Sequence, residues 1–283
     1  MRTVLSLTIL LGSGLTIFAQ NTNLPAHLGE PTNAKEAAKQ QQQTSGVTAD
    51  MLGREAKRKA AMTPEQLAWE ETLEANLGYF YLPLYYKDKD AGRETAWDYV
   101  KDDPALPRLL IIGDSISRGY TLAVRHALAG KVNVHRAPAN CGPTASGLKN
   151  LEVWLGKGKW DIITWNFGIH DRNTDPEVYR KNLEVLLQRL HKTGAKIIWV
   201  RTTPAPPSGK NNEGFNDAQC DQINHIADEV MKVSNIPEVD LYALMKPKLN
   251  ECQLPDNVHF KEPGYAVMGQ EVAMAVIEET RKP

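Results

Sequence analysis

Short apolar stretches alternating with longer helical ones set the pattern of this chain. Residues 109–112, 132–135, 161–165 and 195–200 are apolar-rich segments of strand length, and a shorter one falls at 238–241. Runs with little polar alternation are how strands buried on both faces read. Between them the period changes to that of a helix. The clearest helix runs from Pro176 to about Thr193, with Tyr179, Leu183, Leu186, Leu187 and Leu190 on one face. Pro176 opens it and Gly194 follows its end. A last helix is expected over about 264–281. This alternation predicts a three-layer α/β/α fold around a parallel, flavodoxin-like sheet of about five strands. Ligands then bind beyond the carboxyl ends of the strands.

The region before residue 105 follows another pattern. Residues 1–20 have a positive start at Arg2, an apolar stretch over 4–11 and a cleavage-like region over 17–20, the form of a removable signal peptide. A secreted or periplasmic location is therefore expected. No Cys near the cleavage region suggests a lipid anchor, and no stable membrane insertion is expected after the leader is removed. Residues 21–62 are polar, with a run of four Gln at 40–43 and basic residues at Arg54, Lys57, Arg58 and Lys59. They read as a flexible, solvated lead-in. Thr63, Pro64 and Gln66 form a helix start with a capping box. That helix carries Leu67, Trp69, Leu73 and Leu77 and ends at Gly78. The aromatic stretch 79–86 can be a sugar-stacking surface, but packing that fastens a 63–104 extension to the main domain is preferred. The main domain is expected over 105–283.

Composition narrows the partners. A net charge of −1 over 283 residues leaves no footprint for nucleic acid or an anionic membrane. The three cysteines, Cys141, Cys220 and Cys252, allow at most one internal disulfide, and their spacing suits no zinc site.

The candidate chemistry lies at the strand ends. The run 109–112 stops at Gly113-Asp114-Ser115, a turn that delivers a serine to the sheet edge at a helix start. The phosphate loop fails as a reading because no Gly-Lys-Ser/Thr follows. The Gly-x-Ser-x-Gly elbow fails because Ser117 occupies the last place. Near the other end, Asp256 and His259 share one turn before the last helix. A histidine can take the serine proton while a carboxylate holds its far ring nitrogen. Two loops lie between: 139–144 after the second strand, containing Gly142, and 165–171 after the third, containing Gly168-Ile169-His170-Asp171. Asp114 and Asp171 as a glycosidase-like pair carry little weight. His170, Asp171, Asp256 and His259 have no diagnostic metal spacing. No metal or cofactor is expected.

These four blocks, in this order, resemble the SGNH (GDSL-like) hydrolase family over about residues 105–283. The resemblance implies that Ser115 is the nucleophile and that Asp256 and His259 complete its triad. It implies an oxyanion hole from the backbone N–H groups of Ser115 and Gly142. The family's third block is commonly Gly-x-Asn-Asp, and here His170 stands in the place of that Asn. A neutral imidazole offers one N–H donor and imidazolium two. Asn166 precedes the matching position and is a poorer substitute. The expected activity is that of a carboxylic ester hydrolase, most simply one removing O-acetyl groups from carbohydrates through an acyl-enzyme. A small-molecule or polysaccharide ester is the expected substrate. A polar, Pro-rich loop over 202–212 at the active edge suits a sugar better than a fatty chain. The alternatives are a lipid-directed esterase or lysophospholipase, and a non-catalytic glycan-binding module on the same fold.

Overall fold

The computed structural model describes residues 47–206, 214 and 216–282. The leader-like segment at 1–20, most of the polar lead-in and part of the Pro-rich loop lie outside the described residues.

Three helices come first: α1 (Ala49–Ala60), α2 (Pro64–Asn76) and α3 (Gly78–Asp90). The capping box at α2 forms as read, with Thr63 and Gln66 exchanging hydrogen bonds. Residues 47–62 are not a free lead-in, since α1 is folded. Its basic cluster pairs internally, with Arg54 on Asp90, Arg58 on Glu55 and Glu70, and Lys59 on Glu74. The buried carboxylate of Glu70 also accepts from the Tyr85 hydroxyl at 2.7 Å. Gly78 does close α2, but the chain turns there and re-enters a helix, so the aromatic stretch is α3.

The main domain follows as β1 (Arg108–Ile112), α4 (Ser115–Ala127), β2 (Asn133–Arg136), α5 (Thr144–Leu155), β3 (Ile162–Trp165), α6 (Pro176–His191), β4 (Lys196–Val200), α7 (Asp217–Val233), β5 (Glu238–Val239), α8 (Leu241–Met245), α9 (Leu249–Cys252) and α10 (Glu262–Arg281). The five strands are parallel in the order β2-β1-β3-β4-β5. This is the flavodoxin-like order, whose switch point lies between β1 and β3.

Alternate residues of each strand serve opposite faces, and both faces are covered. Leu109, Ile111, Ile162 and Ile198 pack with Val124 of α4 and Met268, Val272 and Val276 of α10. Leu110, Ile112, Ile163 and Trp199 pack with Leu183, Leu186 and Leu190 of α6 and Val230 of α7. That double burial is why the strands read as apolar runs.

The extension has its own small core of Leu73, Leu77, Leu82, Tyr85, Tyr86 and Trp97. Its connecting segment is fastened by hydrogen bonds. Arg125 of α4 donates to the carbonyls of Thr95 and Ala96 at 2.9 and 3.0 Å, and the Trp97 indole donates to Ala137 O at 3.2 Å. Cys141, Cys220 and Cys252 are all buried and free.

Candidate active site

Ser115 is placed by β1 and by the N-terminus of α4. The Asp114 side chain caps that helix, accepting from Ile116 N at 2.9 Å. The turn is held from below by Arg136, which ends β2 and is fully buried. Its guanidinium donates to Gly113 O (3.0 Å), Asp114 O (2.9 Å) and Ser117 Oγ (2.7 Å). Burial pushes the Arg136 pKa down, and three acceptors on one turn offset that desolvation. Ser117, which breaks the elbow motif, is therefore a bridge between this arginine and the serine turn.

His259 comes from the turn between α9 and α10. That turn is pinned by an antiparallel bridge between Gln253 and Phe260 and by a bond from Leu254 N to His259 O at 2.9 Å. The bridge delivers His259 Nε2 to 2.8 Å from Ser115 Oγ, across 144 residues of sequence. Tyr265, on the first turn of α10, packs over Gly119 of α4. A Cβ at Gly119 would come within 2.1–2.6 Å of the tyrosine ring, so only glycine admits this contact.

The far side of the imidazole departs from the expected arrangement. Asn257 Oδ1 lies 2.6 Å from His259 Nδ1, and the same oxygen accepts the His259 backbone N–H at 2.9 Å. Asp256, expected at that position, is exposed and takes the left-handed corner of the turn at φ 48°. The corner carries the chain round so that the next side chain, not that of Asp256, meets the ring. The backbone N–H identifies the Asn257 atom as an oxygen, so Nδ1 carries the proton and Nε2 is left to accept from the serine.

The loops expected to supply oxyanion donors also gather here. Cys141 N donates to Gly113 O at 3.2 Å, which sets the 140–142 segment beside the serine turn. Gly142 has φ 65°, a backbone position that favours glycine. Asp171 joins this loop to the third block. Its buried carboxylate accepts from Thr144 N (2.8 Å), Thr144 Oγ1 (2.7 Å) and Thr174 Oγ1 (3.2 Å). Burial raises its pKa, against those bonds. His170, on a short 3-10 turn after β3, has its Nε2 3.8 Å from Asp114 Oδ2. Asn166 is committed elsewhere, donating to Val200 O and Thr202 Oγ1.

Ser115, His170 and His259 line one cavity of about 410 Å³, and Gly142 is not among its lining residues. The other walls are Ile169, Leu254, Val258, Phe260, Tyr265 and Arg118, with Phe80, Tyr81 and Leu84 of α3. One face of α3 thus packs in the extension's core while another faces the candidate nucleophile. Burial raises the Tyr81 pKa, and Arg118 and Ser115 act against the rise. The α3 residues fall in the aromatic stretch 79–86, for which packing is the preferred sequence reading and a sugar-stacking surface the lesser one, whereas no motif singles out Arg118. The signal for Arg118 was its place three residues after Ser115, on the same side of a helix. Among the described residues no cluster of three His, Cys, Asp or Glu is placed to hold a metal ion.

Comparison with known proteins gives the chain a family and agrees with its fold. The GDSL-like lipase/acylhydrolase family matches residues 111–267. An arylesterase of Vibrio mimicus is 23% identical over 187 residues, which are 62% of this chain and 90% of that protein. A solved lipase/acylhydrolase from Enterococcus faecalis aligns with a TM-score of 0.55 at 24% identity, covering 62% of this chain and 98% of that one. An acetylxylan esterase from Geobacillus stearothermophilus aligns with a TM-score of 0.51 at 17% identity, covering 62% and 95%. The family match begins after α3, so the wall formed by Phe80, Tyr81 and Leu84 precedes it.

Proposed function

Since the chain belongs to the GDSL-like lipase/acylhydrolase family and is a carboxylic ester hydrolase, we propose that it is an exported serine esterase that removes O-acetyl groups from carbohydrates. The observation that carries this reading is the 2.8 Å approach of His259 Nε2 to Ser115 Oγ at the cavity wall.

The steps follow from that geometry. Ser115 Oγ attacks the ester carbonyl carbon while His259 Nε2 takes its proton. The tetrahedral intermediate places its negative oxygen near the start of α4, where the helix end and the Ser115 N–H favour it. Gly142 N–H and the His170 ring are the proposed further donors. Collapse breaks the bond to the alcohol, which leaves with the proton from His259. Water then gives a proton to His259 as it attacks the acyl-enzyme, and collapse breaks the bond from the acyl carbon to Ser115 Oγ, which takes that proton back from His259 as acetate leaves. Asn257 and Asp256 are proposed as the orienting pair, the first by its contact with Nδ1 and the second by its charge on the same turn.

Three features favour a sugar ester. The cavity volume falls within the ordinary range for small-molecule sites. Phe80 and Tyr81 offer aromatic surface on which a sugar ring can lie. Arg118, His170 and tyrosine hydroxyls interrupt the apolar lining that a long acyl chain would want. Export rests on the leader-like pattern at 1–20. Acetate release from acetylated xylan or acetylated monosaccharide glycosides tests the reading. Turnover confined to long-chain esters or phospholipids would contradict it and favour the lipid-directed alternative.

The role given to His170 has its own test. His170→Ala is expected to lower kcat by about 10²–10³, the usual cost of one oxyanion donor. His170→Asn, which restores an amide N–H, is expected to recover much of that loss. Equal kcat in wild type and His170→Ala would remove His170 from the oxyanion hole.

A further inference from the structure

The cavity holds one cation for which the fold supplies no acceptor. Among the described residues the Arg118 guanidinium has no hydrogen-bond or ion-pair partner, and its Nε is buried without one. It lies 5.6 Å from the Tyr81 ring centroid and 5.8 Å from that of Trp97. Those faces steady a cation but leave its N–H donors unused. Other arginines near the serine turn are different. Arg136 gives both terminal nitrogens of its guanidinium to the turn, its Nε alone lacking a partner, and Arg125 gives its donors to the carbonyls of Thr95 and Ala96.

An arginine with spare donors on the wall of a catalytic cavity has the chemistry of an anion subsite. Its planar fork matches a carboxylate with two parallel hydrogen bonds. Among the described residues Arg118 is the sole Lys or Arg lining this cavity, so a single negative charge is its complement. A phosphate monoester, with its second negative charge, would leave charge uncompensated, and a sulfate ester lacks the planar two-oxygen edge that the guanidinium fork matches in a carboxylate. The position also suits the chemistry: three residues from Ser115 on α4 and on the wall of the same cavity, Arg118 is placed to meet a group carried beside the scissile bond.

We propose that Arg118 binds a carboxylate on the alcohol part of the substrate, so that the preferred ester is an O-acetylated acidic sugar. The sugar part of this statement rests on the function proposed above; the carboxylate part does not. Arg118 would then be the specificity-determining residue, and α3 would act with it by supplying Tyr81 as the surface that holds the guanidinium in place.

The test is a matched pair: the O-acetyl esters of methyl glucoside and methyl glucuronoside, which differ at one carbon as CH₂OH or carboxylate. Wild type is expected to favour the glucuronoside by about 10- to 100-fold in kcat/KM, the range for a charge-assisted hydrogen bond, and chiefly through KM. In Arg118→Met that ratio is expected to fall to near one. Arg118→Lys, which keeps a cation against Tyr81 and Trp97 but loses the fork, is expected to retain an intermediate ratio, and it guards against a variant that simply fails to fold. A wild-type ratio of one or below, or an unchanged ratio in Arg118→Met and Arg118→Lys, would overturn the subsite. If neither glycoside is hydrolysed, the carbohydrate reading fails, and the same ratio is read on phenyl acetate and 4-carboxyphenyl acetate. There the subsite stands or falls on the carboxylate alone, by the same two outcomes.

Discussion

Ser115→Ala is expected to lower kcat on a simple acetate ester by about 10⁴–10⁶-fold, the range for removing a serine nucleophile. The methyl group left behind cannot form the acyl-enzyme, and any residual rate would come from binding and the helix-end field at the start of α4. His259→Ala is expected to cost a similar factor, because a serine hydroxyl without its base is a poor nucleophile. Since the two side chains act as one unit, joined at 2.8 Å, the double variant is expected to be little worse than either single one. Initial rates with 4-nitrophenyl acetate, read above the uncatalysed background, check this. Losses that multiply in the double variant would show that the two residues act in separate steps.

The second large effect concerns the far side of the imidazole. Asn257→Ala is expected to lower kcat by about 10²–10⁴-fold, because the ring loses the acceptor that holds the proton on Nδ1. A wrongly held tautomer costs about 10⁴ in a serine triad. Asp256→Ala is expected to cost less than about tenfold, since an exposed charge contributes roughly 0.2–1 kcal/mol. Asn257→Asp, which keeps the acceptor and adds charge, is expected to retain or raise activity. The opposite order, with Asp256→Ala the more damaging, would return the triad acid to Asp256. The contrast is informative because the two side chains are neighbours on one turn, and a general disturbance of the turn would affect both alike.

The parts of this protein that were legible in its sequence are those where one physical demand dominates. The runs at 109–112 and 197–200 are buried on both faces, so every position is apolar and the parallel sheet follows. The capping box at Thr63 is a local bond pattern and needed no tertiary context. Ser115 and His259 could be singled out because block order survives even where spacing alone is weak.

Other features were set by contacts that periodicity does not carry. The α1 segment looked unstructured because its charges read as solvated, yet Arg54, Arg58 and Lys59 have partners on α2 and α3. The aromatic stretch of α3 has no polar face to mark its two roles. Leu82, Tyr85 and Tyr86 pack inward, while Phe80, Tyr81 and Leu84 face the cavity. One helix therefore packs in the extension's core with one face and lines the cavity with another. Asn257 was passed over because residue type favours a carboxylate beside a histidine. The left-handed corner at Asp256 sets the Asn257 side chain against the ring, and a backbone angle of this kind is set by the whole turn and its bridge between Gln253 and Phe260.

The central claim is that Ser115, activated by His259, is the nucleophile of this acylhydrolase. Its most direct test is covalent labelling with a fluorophosphonate serine probe, followed by peptide mass spectrometry. The account requires one adduct on the peptide containing Ser115 in wild type, strongly slowed labelling in His259→Ala and none in Ser115→Ala. An adduct on a different serine, or esterase activity that persists in wild type without any labelling, would contradict it.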